Sequence, residues 1–257
     1  EKPLEKGVLA VVAGGPQYRA GVSRQLVSVA RYFAKQGVPF MRFDYRGMGD
    51  SSGEFTGFQY IEKDLDSGIK MLQKVVPEVK EIALWGGCDA ASGIMLHGHR
   101  FPEVKGLIVM NPFVVSSTAE KASLRRYYFE RFFDAAFWKK VLTGKFNPFS
   151  AMKPERKSDR KSDAAPQARD DSFVQDMLQG MERFQGQALL IMNAKNFVAK
   201  RFDQVIKHNK NWSKALKRSN INRVDLSSDG QEFAMEESRK KMTSVVEEWM
   251  LKEGKDI

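Results

Sequence analysis

The sequence holds one cysteine, Cys88, in a segment whose residue types suit a reactive nucleophile. The segment reads Leu84-Trp85-Gly86-Gly87-Cys88-Asp89-Ala90, with an apolar stretch before the cysteine and a helical pattern after it. A side chain on a sharp strand-to-helix turn needs small neighbours, since larger ones would collide with it. The dipole and first amides of the helix would also favour a thiolate. The spacing predicts a nucleophile elbow, and the alternative is a buried cysteine that only packs.

Acyl transfer at such a nucleophile also needs backbone donors for the oxyanion. Gly14-Gly15-Pro16 follows the first predicted strand, and Pro16 has no N–H to donate. The amides of Gly15 and Asp89 are therefore the expected donors. An ordinary glycine turn explains the dipeptide equally well.

Strands alternate with helices along most of the chain. Apolar runs predict strands at 7–13, 38–45, 81–85, 104–110, 187–192 and 222–226. Helical spacing predicts helices at 23–35, 58–76, 89–99, 202–216 and 235–252. This order predicts right-handed βαβ units, and hence an α/β fold with a mostly parallel central sheet flanked by helices.

The alternation of strands and helices is interrupted between the strands at 104–110 and 187–192. Residues 119–142 form an aromatic-rich helical stretch, whereas 153–171 are polar and basic, with the composition of a flexible loop. We therefore expect a core built from 1–112 and 186–257, and a helical cap or lid insertion at 113–185 with a flexible basic loop near 153–171.

The most specific string in the chain is Asp44-Tyr45-Arg46-Gly47-Met48-Gly49-Asp50-Ser51, directly after a predicted strand. It resembles the Asp-x-Arg-Gly-x-Gly-x-Ser signature of the α/β-hydrolase superfamily. Together with Gly14-Gly15-Pro16-Gln17-Tyr18-Arg19 and Trp85-Gly86-Gly87-Cys88-Asp89, it resembles the type 1 hydrolases associated with bacterial exosortase systems, which accompany exopolysaccharide and protein-sorting genes. The resemblance runs from about Gly7 to the closing helix. Such hydrolases usually carry two further N-terminal strands, and this sequence begins too late for them.

The resemblance implies the α/β-hydrolase fold, ester or thioester hydrolysis, and a structural role for residues 44–52 in bracing the loops around the site. It also implies a triad of nucleophile, acid and histidine, of which the nucleophile carries over to Cys88. The acid position, after the strand that ends at Met192, holds Asn196. The histidine position, in the loop after Leu226, holds Gln231.

The missing histidine has no evident substitute in the sequence. His97 and His99 lie along the helix after Cys88, roughly 13 and 16 Å away at 1.5 Å per residue, and His208 lies within a predicted helix. We interpret all three as packing or surface residues. An ordinary thiol with a pKa of about 8.5 is only a few per cent thiolate at neutral pH without a base.

Two carboxylates flank Gln231, which stands at the histidine position. Asp229 or Glu232 could act as a weak base, or a hydrogen bond from Asn196 to Gln231 could hold an inactive site together. Two functions therefore stay open. One is a cysteine-dependent acyl hydrolase of an exopolysaccharide or sorting pathway, with a small ester or acyl substrate. The other is a pseudoenzyme that acts as a binding or scaffold protein, which the residues at the triad positions favour.

Composition restricts the other classes of function. The net charge of +10 attracts anionic partners, but the basic stretches alternate with polar residues as a solvated surface does, and no nucleic-acid-binding motif accompanies them. Attraction of the basic stretch 153–161 to an anionic polymer or membrane surface is a third hypothesis. No apolar run reaches the roughly 18 residues of a membrane span, and a single cysteine gives no reason to expect an oxidising compartment, so a cytoplasmic location is the default.

Neither a metal nor a nucleotide cofactor is expected. Three scattered histidines and one cysteine offer no metal-ligand spacing. Gly47-Met48-Gly49 does not open a helix in the dinucleotide-binding pattern.

Overall fold

The computed structural model describes residues 3–12, 18–114, 170–227, 233 and 235–252. The described residues up to Val114 and from Phe173 onward belong to one compact unit. Several predictions concern residues outside these ranges. They are the aromatic stretch 119–142, the basic loop as far as residue 169, and the site residues Gly15 and Gln231 with Asp229 and Glu232 beside the latter.

Six strands form a single sheet in the described part of the chain. They are β1 Lys6–Val11, β2 Phe40–Phe43, β3 Glu81–Gly87, β4 Val104–Met110, β5 Gln187–Asn193 and β6 Ile221–Leu226. The spatial order is β2-β1-β3-β4-β5-β6, and every neighbouring pair is parallel. The predicted parallel α/β architecture is confirmed. Because all six strands run the same way, the residues that follow them meet at one edge of the sheet.

Seven α-helices in the described part of the chain cover the sheet. They are α1 Gln25–Ala34, α2 Glu62–Val75, α3 Cys88–His97, α4 Asp170–Arg183, α5 Phe197–His208, α6 Lys210–Ala215 and α7 Glu236–Lys252. The prediction of one helix over 202–216 is wrong, because Asn209 ends α5 and its side chain accepts hydrogen bonds from Asn211 N and Trp212 N as the N-cap of α6.

Alternate residues of each strand point to opposite faces, which produces two cores. Leu9, Leu84 and Val109 belong to one core, and Val8, Trp85 and Ile108 belong to the other. Side chains of α2 to α6 complete the first core, whereas α1 and α7 complete the second. Burial on both faces explains why the strands read as continuous apolar runs.

The helix α4 lies within the segment that the sequence assigned to the insertion at 113–185. Its side chains Phe173, Met177, Leu178 and Met181 are buried, and the last three belong to the first core. The predicted insertion therefore includes a helix that packs with the sheet.

Candidate active site

Cys88 occupies a sharp turn between β3 and α3. β3 ends at Gly87 in an extended conformation with φ −113°, and Cys88 then adopts φ +54°, in the left-handed region that L-residues rarely occupy. Such backbone strain in a non-glycine residue persists only when its surroundings enforce it, and it is common at active sites. The predicted strand-turn-helix geometry is present at the cysteine.

The two glycines before Cys88 differ in how closely they are packed. A Cβ on Gly86 would lie 2.7 Å from the carbonyl carbon and oxygen of Ala90, closer than real contacts allow. A Cβ on Gly87 would lie 3.5 Å from Met110 Cε, which is ordinary contact. The turn therefore requires glycine at position 86 and only tolerates it at position 87.

The segment after β4 is tied to the elbow by hydrogen bonds. Phe113 N donates to Cys88 O over 3.1 Å. The Ser92 hydroxyl donates to Phe113 O over 2.6 Å and lies 3.4 Å from Cys88 O. Cys88 and Ser92 are both buried. These contacts fix the backbone that carries the thiol.

Asn111, directly after β4, joins this segment to the end of β5. Its Oδ1 accepts a hydrogen bond from Asn193 N over 2.7 Å, and its backbone N–H donates to Ile191 O over 3.1 Å. It is 1% exposed and adopts φ +45°. Its Nδ2 has no partner among the described residues. Sequence reasoning missed this residue, and its only local signal is the Asn-Pro pair after a strand, which favours a turn.

Asn196, at the predicted acid position, is the N-cap of α5. Its Oδ1 accepts from Val198 N over 2.7 Å and from Ala199 N over 3.4 Å. Its backbone N–H donates to Asn193 O over 2.8 Å. β5 is next to β4, which is next to β3, so the turn that holds Asn196 lies at the sheet edge that carries Cys88. Its oxygen is already committed to capping the helix.

Asp89, the predicted oxyanion donor after the nucleophile, is buried in the first turn of α3. Its carboxylate accepts from Ala90 N over 2.8 Å. Burial raises the pKa of Tyr45, and the negative charges of Asp89 and Asp64 raise that pKa further. Asp89, Cys88 and Asn196 are the three of the five predicted site residues that the structure describes.

The three histidines have local contacts of their own. His97 Nε2 lies 2.9 Å from Gln59 O. Burial lowers the pKa of His97, and Arg100 lowers it further, against the hydrogen bond to Gln59 and the charge of Glu62. His208 is exposed, with Nδ1 2.7 Å from the carbonyl oxygen of Gln204. Burial also lowers the pKa of His99, with Arg100 as the next cause.

The loop after β2 is held by carboxylates. Asp44 accepts from Arg19 N over 2.6 Å and from Asp50 N over 3.2 Å, and it pairs with the Arg19 guanidinium. Arg46 binds Asp64 with two parallel hydrogen bonds of 2.9 and 3.0 Å. These bonds join the loop to α2 and to the segment before α1, which is the bracing that the resemblance implies for residues 44–52.

The described residues also provide no metal-binding cluster and no membrane-spanning helix. They contain no group of three or more His, Cys, Asp or Glu side chains able to hold a metal ion. No described helix is long and apolar enough to span a bilayer.

A parallel sheet of this order, with a strained residue between β3 and α3, defines an α/β hydrolase. Residues 6–222 match the model of the family described as serine aminopeptidase, S33, and the chain belongs to that family. No curated protein sequence matches the chain significantly.

Solved structures share the fold at low sequence identity. The Pyrococcus furiosus esterase Pf2001 is 16% identical with a TM-score of 0.61, over 96% of this chain and 83% of that chain. Est1E from Butyrivibrio proteoclasticus, solved with ferulic acid bound, is 17% identical with a TM-score of 0.60, over 98% of this chain and 92% of that chain. A putative α/β hydrolase from Agrobacterium tumefaciens is 17% identical with a TM-score of 0.55, over 97% and 86% of the two chains.

Proposed function

We propose that this α/β hydrolase is a cysteine-dependent acyl hydrolase that acts slowly on a small ester or thioester. The observation that carries the proposal is the conformation of Cys88, which stands at φ +54° on the first residue of α3. Strain of this kind positions a nucleophile and gives no packing advantage to a cysteine that only fills space. The esterases of similar fold support an ester as the substrate class.

The chemistry has two steps. The Cys88 thiolate attacks the carbonyl carbon, a C–S bond forms, and the bond to the leaving group breaks as that group takes a proton from water. The hydroxide left by this proton transfer then attacks the thioester carbonyl carbon, the C–S bond breaks, and the carboxylic acid departs as Cys88 returns to its thiolate form. The helix dipole of α3 favours the thiolate, and the amides of Asp89 and Gly15 are the proposed donors to the oxyanion.

The residues at the other two triad positions keep the rate low. Asn196 is neutral, and its Oδ1 already accepts from two amides of α5, so it offers no charge to orient a base. Gln231 cannot remove a proton from the thiol. Loss of one triad member commonly lowers kcat by about four to six orders of magnitude. Asp229 or Glu232 is the proposed weak base.

The second candidate function is a binding or scaffold protein that has kept the fold and lost the reaction. The same observation at Asn196 favours it, because a capping asparagine stabilises α5 without any catalytic role. In either case we place the protein beside exopolysaccharide or protein-sorting systems, on the resemblance of residues 44–52 and 85–89. A cap at 113–185 and a cytoplasmic location are further parts of this proposal.

The test compares the native protein with the variants Cys88→Ala and Cys88→Ser. Each is incubated with short-chain p-nitrophenyl esters and a thiol-reactive acyl probe between pH 6 and pH 9, roughly the range in which a free thiol titrates. We expect slow turnover and one labelled site in the native protein, and loss of both in Cys88→Ala. Equal melting temperatures would show that the variants are folded. Equal turnover and labelling in native protein and Cys88→Ala would reject the hydrolase and leave the binding protein.

A further inference from the structure

A row of lysines lies on the short helix α6 and the turn that follows it. Lys210 and Lys214 are four positions apart and share one face of α6, Lys217 lies in the turn after the helix, and all three are exposed. Together with Ser213 and Arg218 they line a surface cleft of about 490 Å³. None of the described carboxylates lines this lysine cleft.

The three ammonium groups have no acidic partner among the described residues. Elsewhere on the helices a lysine is paired with an acid one turn away, as in Lys70–Asp66, Lys240–Glu236 and Lys241–Glu237. Like charges at this spacing repel one another and destabilise a helix. The lysine cleft therefore concentrates positive charge that the fold itself does not need.

Buried packing and hydrogen bonds hold α6 and the turn after it in place. Trp212 is fully buried and packs edge-on against Phe202, which anchors α6 to the first core. Arg218 donates to Met181 O and to Phe184 O, both over 2.7 Å, and so ties the cleft to the end of α4. Glu182, the nearby acid, accepts from Arg218 through its backbone carbonyl, and its side chain does not line the cleft.

We propose that the lysine cleft binds a small anion that carries two or more phosphate or sulfate groups. Three ammonium groups on α6 and the turn after it suit several negative charges in succession, and lysine binds phosphate as a point charge. The cleft is open to solvent, which suits a charged ligand that keeps part of its hydration. Among the described residues, no aromatic side chain lines the cleft for a base or sugar to stack on. This site is independent of Cys88.

The experiment is calorimetric titration of the full chain with sodium tripolyphosphate, at low and at high salt. The test variant carries Lys210→Gln, Lys214→Gln and Lys217→Gln. A control variant removes the same charge from exposed lysines elsewhere and carries Lys35→Gln, Lys74→Gln and Lys105→Gln. All six side chains are exposed, so both variants are expected to fold.

We expect saturable binding to the native protein and to the control variant, weakened roughly tenfold or more in the test variant. Inorganic phosphate should bind more weakly than tripolyphosphate, because it reaches fewer lysines. Equal loss in both variants would show attraction to net charge alone and overturn the proposal, as would absence of saturable binding to the native protein. Phosphate binding as tight as tripolyphosphate binding would overturn the requirement for several anionic groups.

Discussion

The elbow around Cys88 and the turn before α5 lie at the same edge of the sheet but satisfy different requirements. At the elbow, backbone sterics dictate the sequence, since Gly86 has no room for a side chain and Cys88 is held in a left-handed conformation. In the turn, Asn196 meets a requirement that any short side chain with an acceptor oxygen can meet, which is capping of α5. The elbow therefore depends on backbone sterics, whereas the turn before α5 depends on a capping oxygen.

The largest expected effect tests the steric side of this comparison. Gly86→Ala should lower the free energy of unfolding by about 3 kcal/mol, because the new Cβ would press on the backbone of α3. Gly87→Ala is the matched control and should cost less than about 1 kcal/mol, since its φ of −113° suits alanine and its Cβ has room. Chemical denaturation of both variants measures the difference.

Labelling of Cys88 by the acyl probe gives a second readout for the same pair. If the turn at the cysteine determines its reactivity, Gly87→Ala should keep the native labelling rate. A Gly86→Ala variant as stable as Gly87→Ala would contradict the steric account of the elbow.

The sheet could be predicted from the sequence because its strands are buried on both faces and separated by helical patterns. The split between α5 and α6 was missed, since apolar residues continue at helical spacing from Phe202 to Ala215 and only the cap at Asn209 interrupts them. The helix α4 was also missed, although Phe173, Met177 and Met181 recur four residues apart. The polar composition of residues 153–171, which extend into its first turn, predicted a loop instead.

One part of the site could also be predicted from the sequence, and another could not. Small residues around Cys88 show a tight turn in the sequence itself, so strand, turn and helix could be placed there. Asn111 could not be identified, because its function depends on a left-handed φ and on a bond to Asn193, which is 82 residues away. Local patterns do not encode contacts of that range.

An intermediate effect is expected at Asn111, which connects the two regions. Asn111→Ala removes the acceptor for the buried Asn193 N and also forces alanine into the left-handed region, for a total of about 2 kcal/mol or more. Asn111→Gly removes only the side chain, because glycine adopts a φ of +45° readily. Thermal unfolding should rank the native protein first, Asn111→Gly second and Asn111→Ala last. Equal stability of the two variants would show that backbone strain at this position contributes little.

The smallest effect addresses the turn before α5, where capping and catalysis make different predictions. Asn196→Ala should lower stability by about 1 kcal/mol, whereas Asn196→Asp should preserve it, because a carboxylate caps a helix as well as a carboxamide does. Asn209→Ala is the control, since Asn209 caps α6 through bonds of 3.0 and 3.3 Å and lies outside the proposed site. If Asn196 is only a cap, both alanine variants lose similar stability and neither changes the labelling rate of Cys88. A labelling rate altered in Asn196→Ala alone would show that the turn still acts on the nucleophile, because loss of a cap by itself accounts only for the stability change that the two variants share.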